Sequence, residues 1–162
     1  MTAWLSFLLF PAIAGGQLSI TEFVADNDGS YLDSDGEASD WIELSNSGAS
    51  AVSTDGLYLT DNASDLTRWM LPDVTIPAGG YLVIFASGKD RNDPQGELHT
   101  NFSLSARGEY LALIDTDGIT PLSQFTPEFP KQVFGMAYGT GTNSATESKT
   151  LVHWPATGTW MV

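Results

Sequence analysis

Residues 26–40 read DNDGSYLDSDGEASD, six Asp or Glu in fifteen positions with no Lys or Arg. Carboxylates at this density can hold a hard cation, repel an anionic partner, or simply stay hydrated. Ca2+ takes about six to eight oxygen ligands. The Asp-x-Asp-Gly spacing that turns alternate carboxylates toward one point occurs at Asp26–Gly29 and again at Asp33–Gly36. Neither register is an EF-hand loop. Counting from Asp26, the twelfth position is Glu37, as required, but the sixth, where Gly is needed, is Tyr31. Counting from Asp33, the sixth is Ala38 and the twelfth Leu44. A looser calcium site would use Asp26, Asp28, Asp33, Asp35 and Asp40. The competing reading is a solvated loop whose Asp and Gly only make turns. Exposed charges are screened beyond about 8–10 Å, so such a loop needs no ion, and it is the leading expectation.

Other reactive groups are sparse. There is no Cys, so thiol catalysis, disulfides and thiolate metal sites are excluded. The histidines, His99 and His153, are far apart in sequence, and zinc would need carboxylates to complete its shell. No G-x-S-x-G or H-E-x-x-H occurs, and His99 is expected to hydrogen-bond within a turn. Glu43 and Glu109 neighbour aromatics but fall on regular strands, where an outward Glu is ordinary, so no glycosidase pair is assigned. Trp41 and Tyr58 alternate out of phase with Ile42/Leu44 and Leu57/Leu59. They would form a sugar platform if exposed, although packing beneath loops is the stronger expectation. GTGTNS (139–144) lacks the Lys of a phosphate loop. Asn62 and Asn101 begin N-x-S acceptor triplets that matter only in a eukaryotic secretory pathway.

The elements that must carry these residues are short. Strand-like runs fall at 18–24, 40–46, 56–60, 67–71, 80–87, 101–106, 109–115, 119–125 and 132–138. Sixteen Gly and eight Pro separate them. In 18–24, Leu18, Ile20 and Glu22 share one face and Ser19, Thr21 and Phe23 the other. Residues 80–87 are nearly all apolar, as in a strand covered on both faces. Arg107-Gly108 has hairpin spacing, and Asp117-Gly118 is a favoured tight turn. With no helical periodicity, the pattern predicts an all-β sandwich or barrel.

The chain carries 20 acids against six bases, a net charge of −14. Residues 22–65 hold eleven acids and no base. Such a surface repels nucleic acid and anionic lipid. The apolar run Ala3–Ala14 is too short to span a bilayer, and no other segment is a transmembrane candidate. With Ala12-Ile13-Ala14 before Gly15 it fits a signal peptide over 1–14, though without a basic n-region. Export to the periplasm, cell surface or medium is the expectation. The domain is expected at 15–138, followed by a linker at 139–162 and further sequence beyond Val162.

The order ITEFVADNDG…DSDGEASDWIELSNSG, then IPAGGYLVIFASGKD, then LHTNFSLSARGEYLALID resembles the lamin-tail domain in its bacterial secreted version. The likeness covers about residues 18–138. It implies an immunoglobulin-like β-sandwich without enzyme activity, working as an accessory module beside other domains. The family supplies no catalytic or ligand residues to carry over. The function expected is protein interaction, adhesion at a cell surface, or positioning of a neighbouring domain. The alternative is a calcium- or carbohydrate-binding module of an exported hydrolase, and Ca2+ is the only cofactor considered.

Overall fold

Alternating side chains and glycine corners build ten strands in the computed structural model, which describes residues 18–139. They are β1 (Leu18–Val24), β2 (Asp40–Asn46), β3 (Val52–Ser53), β4 (Tyr58–Thr60), β5 (Trp69–Met70), β6 (Thr75–Ile76), β7 (Tyr81–Ala86), β8 (Leu111–Ile114), β9 (Pro121–Phe125) and β10 (Tyr138–Gly139). Two antiparallel four-stranded sheets, ordered β10-β1-β2-β7 and β5-β4-β8-β9, form an immunoglobulin-like β-sandwich. β3 and β6 pair in a separate two-stranded sheet. The leader expected over 1–14 and all but the first residue of the linker lie outside the described residues.

The core lies between the large sheets. Ile42, Leu44 and Ile84 of the first meet Leu59, Leu111 and Leu113 of the second, none more than 1% exposed. Burying each such side chain contributes about 1.5–3 kcal/mol. Alternation alone places Phe23 on the outer face, but the structure buries it completely in this core. A β-bulge between Ile20 and Glu22 is the reason. One extra residue flips the pleat, and Ile20 and Phe23 then share the inner face.

Several expected strands shrink. Residues 56–60 and 67–71 keep only β4 and β5. Residues 101–106 form no strand: Thr100 Oγ1 donates to the Phe102 carbonyl at 2.6 Å, and Asn101 Nδ2 donates to the Arg68 carbonyl at 2.8 Å. These side-chain bonds replace ladder bonds, leaving one bridge between Ser87 and Ser103. Arg107-Gly108 is a turn but joins no hairpin. Its Gly108 adopts φ +97°, and a Cβ there would collide with the Phe129 carbonyl. Residues 132–138 break at Gly135 (φ +70°), where Met136 N–H bonds the Val133 carbonyl, so only Tyr138 enters β10. The Asp117-Gly118 turn does join β8 to β9, with Asp117 Oδ1 accepting the Ile119 and Thr120 amides.

β7 is an outer strand of its sheet, and it is covered on both faces only over Ile84–Ala86, while Tyr81 at its start is exposed. Ile84 and Ala86 face the core. Phe85 faces outward into a second cluster with Val24 and Trp41, capped by Tyr31. Segment 98–100 covers part of its free edge, through Phe85 N–H to Leu98 O and Thr100 N–H to Phe85 O.

Candidate functional site

The β1–β2 loop, residues 25–39, carries the acidic run. Asn27 braces it, donating from Nδ2 to the carbonyls of Tyr31 (2.7 Å) and Ser39 (2.8 Å). At its centre the side chain of Asp33 is wholly buried. Its Oδ1 accepts the Asp35 and Glu37 amides, both at 3.0 Å, and its Oδ2 accepts the Ser39 hydroxyl at 2.7 Å. A loop that is merely hydrated would not bury this carboxylate, so the expectation of a simple solvated loop gives way at Asp33.

The charge is compensated from the loop after β7. Lys89 Nζ lies 2.5 Å from Asp33, 2.7 Å from Asp35 and 2.9 Å from Glu37. Arg91 Nη2 lies 2.7 Å from Asp35, and Glu97 Oε1 accepts the Ser34 amide at 2.8 Å. Burial alone would raise the Asp33 carboxyl. Hydrogen bonds from Lys89, Ser39 and the Glu37 amide outweigh it and hold the group well below the usual carboxylate range. Burial would likewise lower Lys89, but its three carboxylate partners raise it. The acidic loop thus closes on an internal cation, as a clasp between residues 33–37 and 89–97.

The five candidate calcium ligands fall into separate places. Asp33 and Asp35 join the clasp together with Glu37, and these three offer carboxylate oxygens within 4.8 Å of one another. The Lys89 ammonium sits among them, so Ca2+ binding there would have to displace it. Asp28 is exposed, accepts the Ser30 amide at 2.9 Å, and packs against Gly135. Asp40 lies at the start of β2. Burial pushes its carboxyl up to about 6, the Asn27 and Leu104 amides pull it down, and the charges of Asp26 and Glu109 add to the rise. Asp26 gives its backbone carbonyl to Gly135 N–H at 2.8 Å.

His99 is fully buried and stacked on Phe85, ring centroids 5.3 Å apart. Its Nε2 lies 3.2 Å from Glu97 Oε1 and its Nδ1 2.8 Å from Ser87 Oγ. A carboxylate only accepts, so Nε2 carries the proton and Nδ1 accepts from Ser87. Burial holds the imidazole pKa below its ordinary value. The Ser–His–Glu order matches a hydrolase relay in chemistry. Here, however, Ser87 Oγ also accepts the Lys89 amide at 3.3 Å, and the chain of bonds ties the end of β7 to segment 97–99. His99 therefore bonds beyond a single turn and pins two segments together.

Trp41 faces away from Ile42 and Leu44 as expected, but Tyr31 covers it and leaves it 4% exposed. Tyr58 lies on the other sheet, so the two do not form one platform. Beside Trp41 a cleft of about 360 Å³ opens between β1 and the turn at Gly135, lined by Glu22, Val24, Tyr31, Trp41 and Ala137 among others. The same turn exposes Val133 (61%), Phe134 (65%) and Met136 (60%).

Sequence reasoning missed Lys89, Arg91, Glu37 and Glu97 as parts of the acidic site. The available signal was charge: Lys89 and Arg91 are the only close basic pair before residue 107, facing a front segment with none.

Among the described residues no helix is long and apolar enough to cross a membrane. No curated protein matches the chain. A family model described as Lamin Tail Domain matches residues 11–127, in agreement with the sandwich and its motifs, and the chain belongs to the lamin tail domain family.

Proposed function

We propose that this β-sandwich is a non-catalytic module of an exported protein, mediating protein interaction or adhesion at a cell surface, or positioning a neighbouring domain. The observation that carries this reading is the exposed apolar turn Val133-Phe134-Gly135-Met136 on a chain with net charge −14. Exposed apolar groups gathered on one turn of a strongly charged protein mark a contact surface. Export is supported by the leader-like Ala3–Ala14 run and its A-x-A site. The test is retention of the fluorescently labelled chain on washed cells of the producing organism. Retention lost in the Phe134→Ser/Met136→Ser variant is the expected result. Equal retention of both proteins, or none of either, refutes the reading.

A second reading, a calcium-binding accessory module, is favoured by the convergence of Asp33, Asp35 and Glu37. A thermal melt with millimolar Ca2+ tests it: a bound ion raises the midpoint by mass action, and an unchanged midpoint removes calcium from the account.

A further inference from the structure

We infer that the cleft beside Trp41 receives an apolar side chain from a cationic peptide segment of a partner protein; this rests on the interaction-module reading and names the partner's chemistry. The apolar part of the cleft lining comes from Val24, Tyr31, Trp41 and Ala137, and Asn27 and Ser30 add polar groups beside it. Tyr31 forms one wall, fixed by stacking on Phe85 with centroids 5.3 Å apart. Ala137 and the Gly135 turn form the other. That turn is anchored by Gly135 N–H to the Asp26 carbonyl at 2.8 Å, so the cleft is built rather than incidental. At about 360 Å³ it is near the lower end of ligand-pocket sizes and has room for a large aliphatic side chain together with part of its flanking backbone.

Charge selects the occupant. Glu22 is the one charged residue among the lining side chains. The Asp28 carboxylate lies against Gly135, and Asp26 bonds the same turn. Lys89 and Arg91, the bases nearest in the fold to the acidic loop, are engaged by Asp33, Asp35 and Glu37. A second copy of the chain would bring another −14 and meet repulsion. A segment with Lys or Arg on both sides of an apolar residue would instead enter the cleft and place a cation toward Asp28, next to the exposed Phe134 and Met136 of the same turn.

The test titrates the full chain with the amidated peptide Lys-Lys-Leu-Lys-Lys at low salt and reads intrinsic fluorescence and heat. Saturable binding is expected, weakened about tenfold or more when Ser replaces Leu in the peptide and abolished when Glu replaces its lysines. Ala137→Trp, which fills the cleft, and Phe134→Ser/Met136→Ser should each weaken binding at least several-fold with an unchanged melting midpoint. If one variant misfolds, the other decides. Equal binding of the Leu and Ser peptides would mean nonspecific charge attraction and overturn the proposal, as would absence of binding. Self-association lost in Phe134→Ser/Met136→Ser would assign the surface to a second copy. Binding gained only after Leu151, Trp154 and Trp160 are changed to Ser would assign it to the chain's own tail. Either outcome overturns the proposal. Failure of the peptide with cell retention still dependent on Phe134 and Met136 sinks this inference alone; loss of both sinks the interaction reading too.

Discussion

Replacing Lys89 by Met keeps the aliphatic stem and removes the charge that closes the acidic loop. Asp33 would keep three donors, the Asp35 and Glu37 amides and the Ser39 hydroxyl, but lose its cation while its side chain stays wholly buried. Removing one partner of a buried pair costs about 3–5 kcal/mol. The remaining donors offset part of that, and the more exposed partners Asp35 and Glu37 add little, so about 2–3 kcal/mol is expected. For a domain of this size that lowers the melting midpoint by about 10 °C. Differential scanning calorimetry at pH 7 and in low salt is the assay. The sign with pH follows from the depressed Asp33 carboxyl. Its contribution is present above the unfolded pKa of about 3.9 and is lost as pH falls through the lower folded value. The penalty should therefore persist at pH 5 and shrink only below about pH 4. Without the ammonium, Asp33, Asp35 and Glu37 become free to accept a divalent ion, and millimolar Ca2+ should recover part of the loss in the variant. A variant melting within about 2 °C of the parent would refute the claim that Lys89 compensates a buried charge.

Asp40→Asn should raise stability at pH 7–8 by about 1–2 kcal/mol, discounted for partial exposure. The folded carboxyl is raised to about 6, so the parent gains stability as pH falls from 7 toward 4. Urea titrations across that range should show the gain in the parent and a flatter profile in the variant; parallel profiles would remove Asp40 as their cause. Gly108→Ala must place a Cβ against the Phe129 carbonyl at φ +97°, and a cost above about 2 kcal/mol is expected in the same assay. Tyr31→Ala should uncover Trp41 and shift its emission to longer wavelength with the core intact; unchanged emission from a protein carrying Trp41 as its sole Trp would show that Tyr31 does not cap it.

What was legible in the sequence was local. The Asp117-Gly118 hairpin could be read because four consecutive residues determine it, and β2 because its alternation runs unbroken. Phe23 turns inward against its alternation because of the bulge near Thr21, which leaves no mark in residue types. Residues 101–106 alternate like a strand, yet Thr100 and Asn101 spend their side chains on backbone carbonyls, a choice set by neighbours at Phe102 and Arg68. Gly135 is a visible break inside 132–138, and its positive φ ends the alternation there. The acidic site was half readable. Its carboxylates are contiguous, but Lys89 lies 56 positions from Asp33 and becomes its partner only through the pairing of β2 with β7.

That separation has a kinetic consequence. Asp33 and Lys89 come together through the pairing of β2 with β7, so the clasp is expected to lock only after those two strands have zipped together. Weakening it should hasten opening far more than it delays assembly. On that expectation the acidic stretch would serve as a latch, setting how long the folded protein survives.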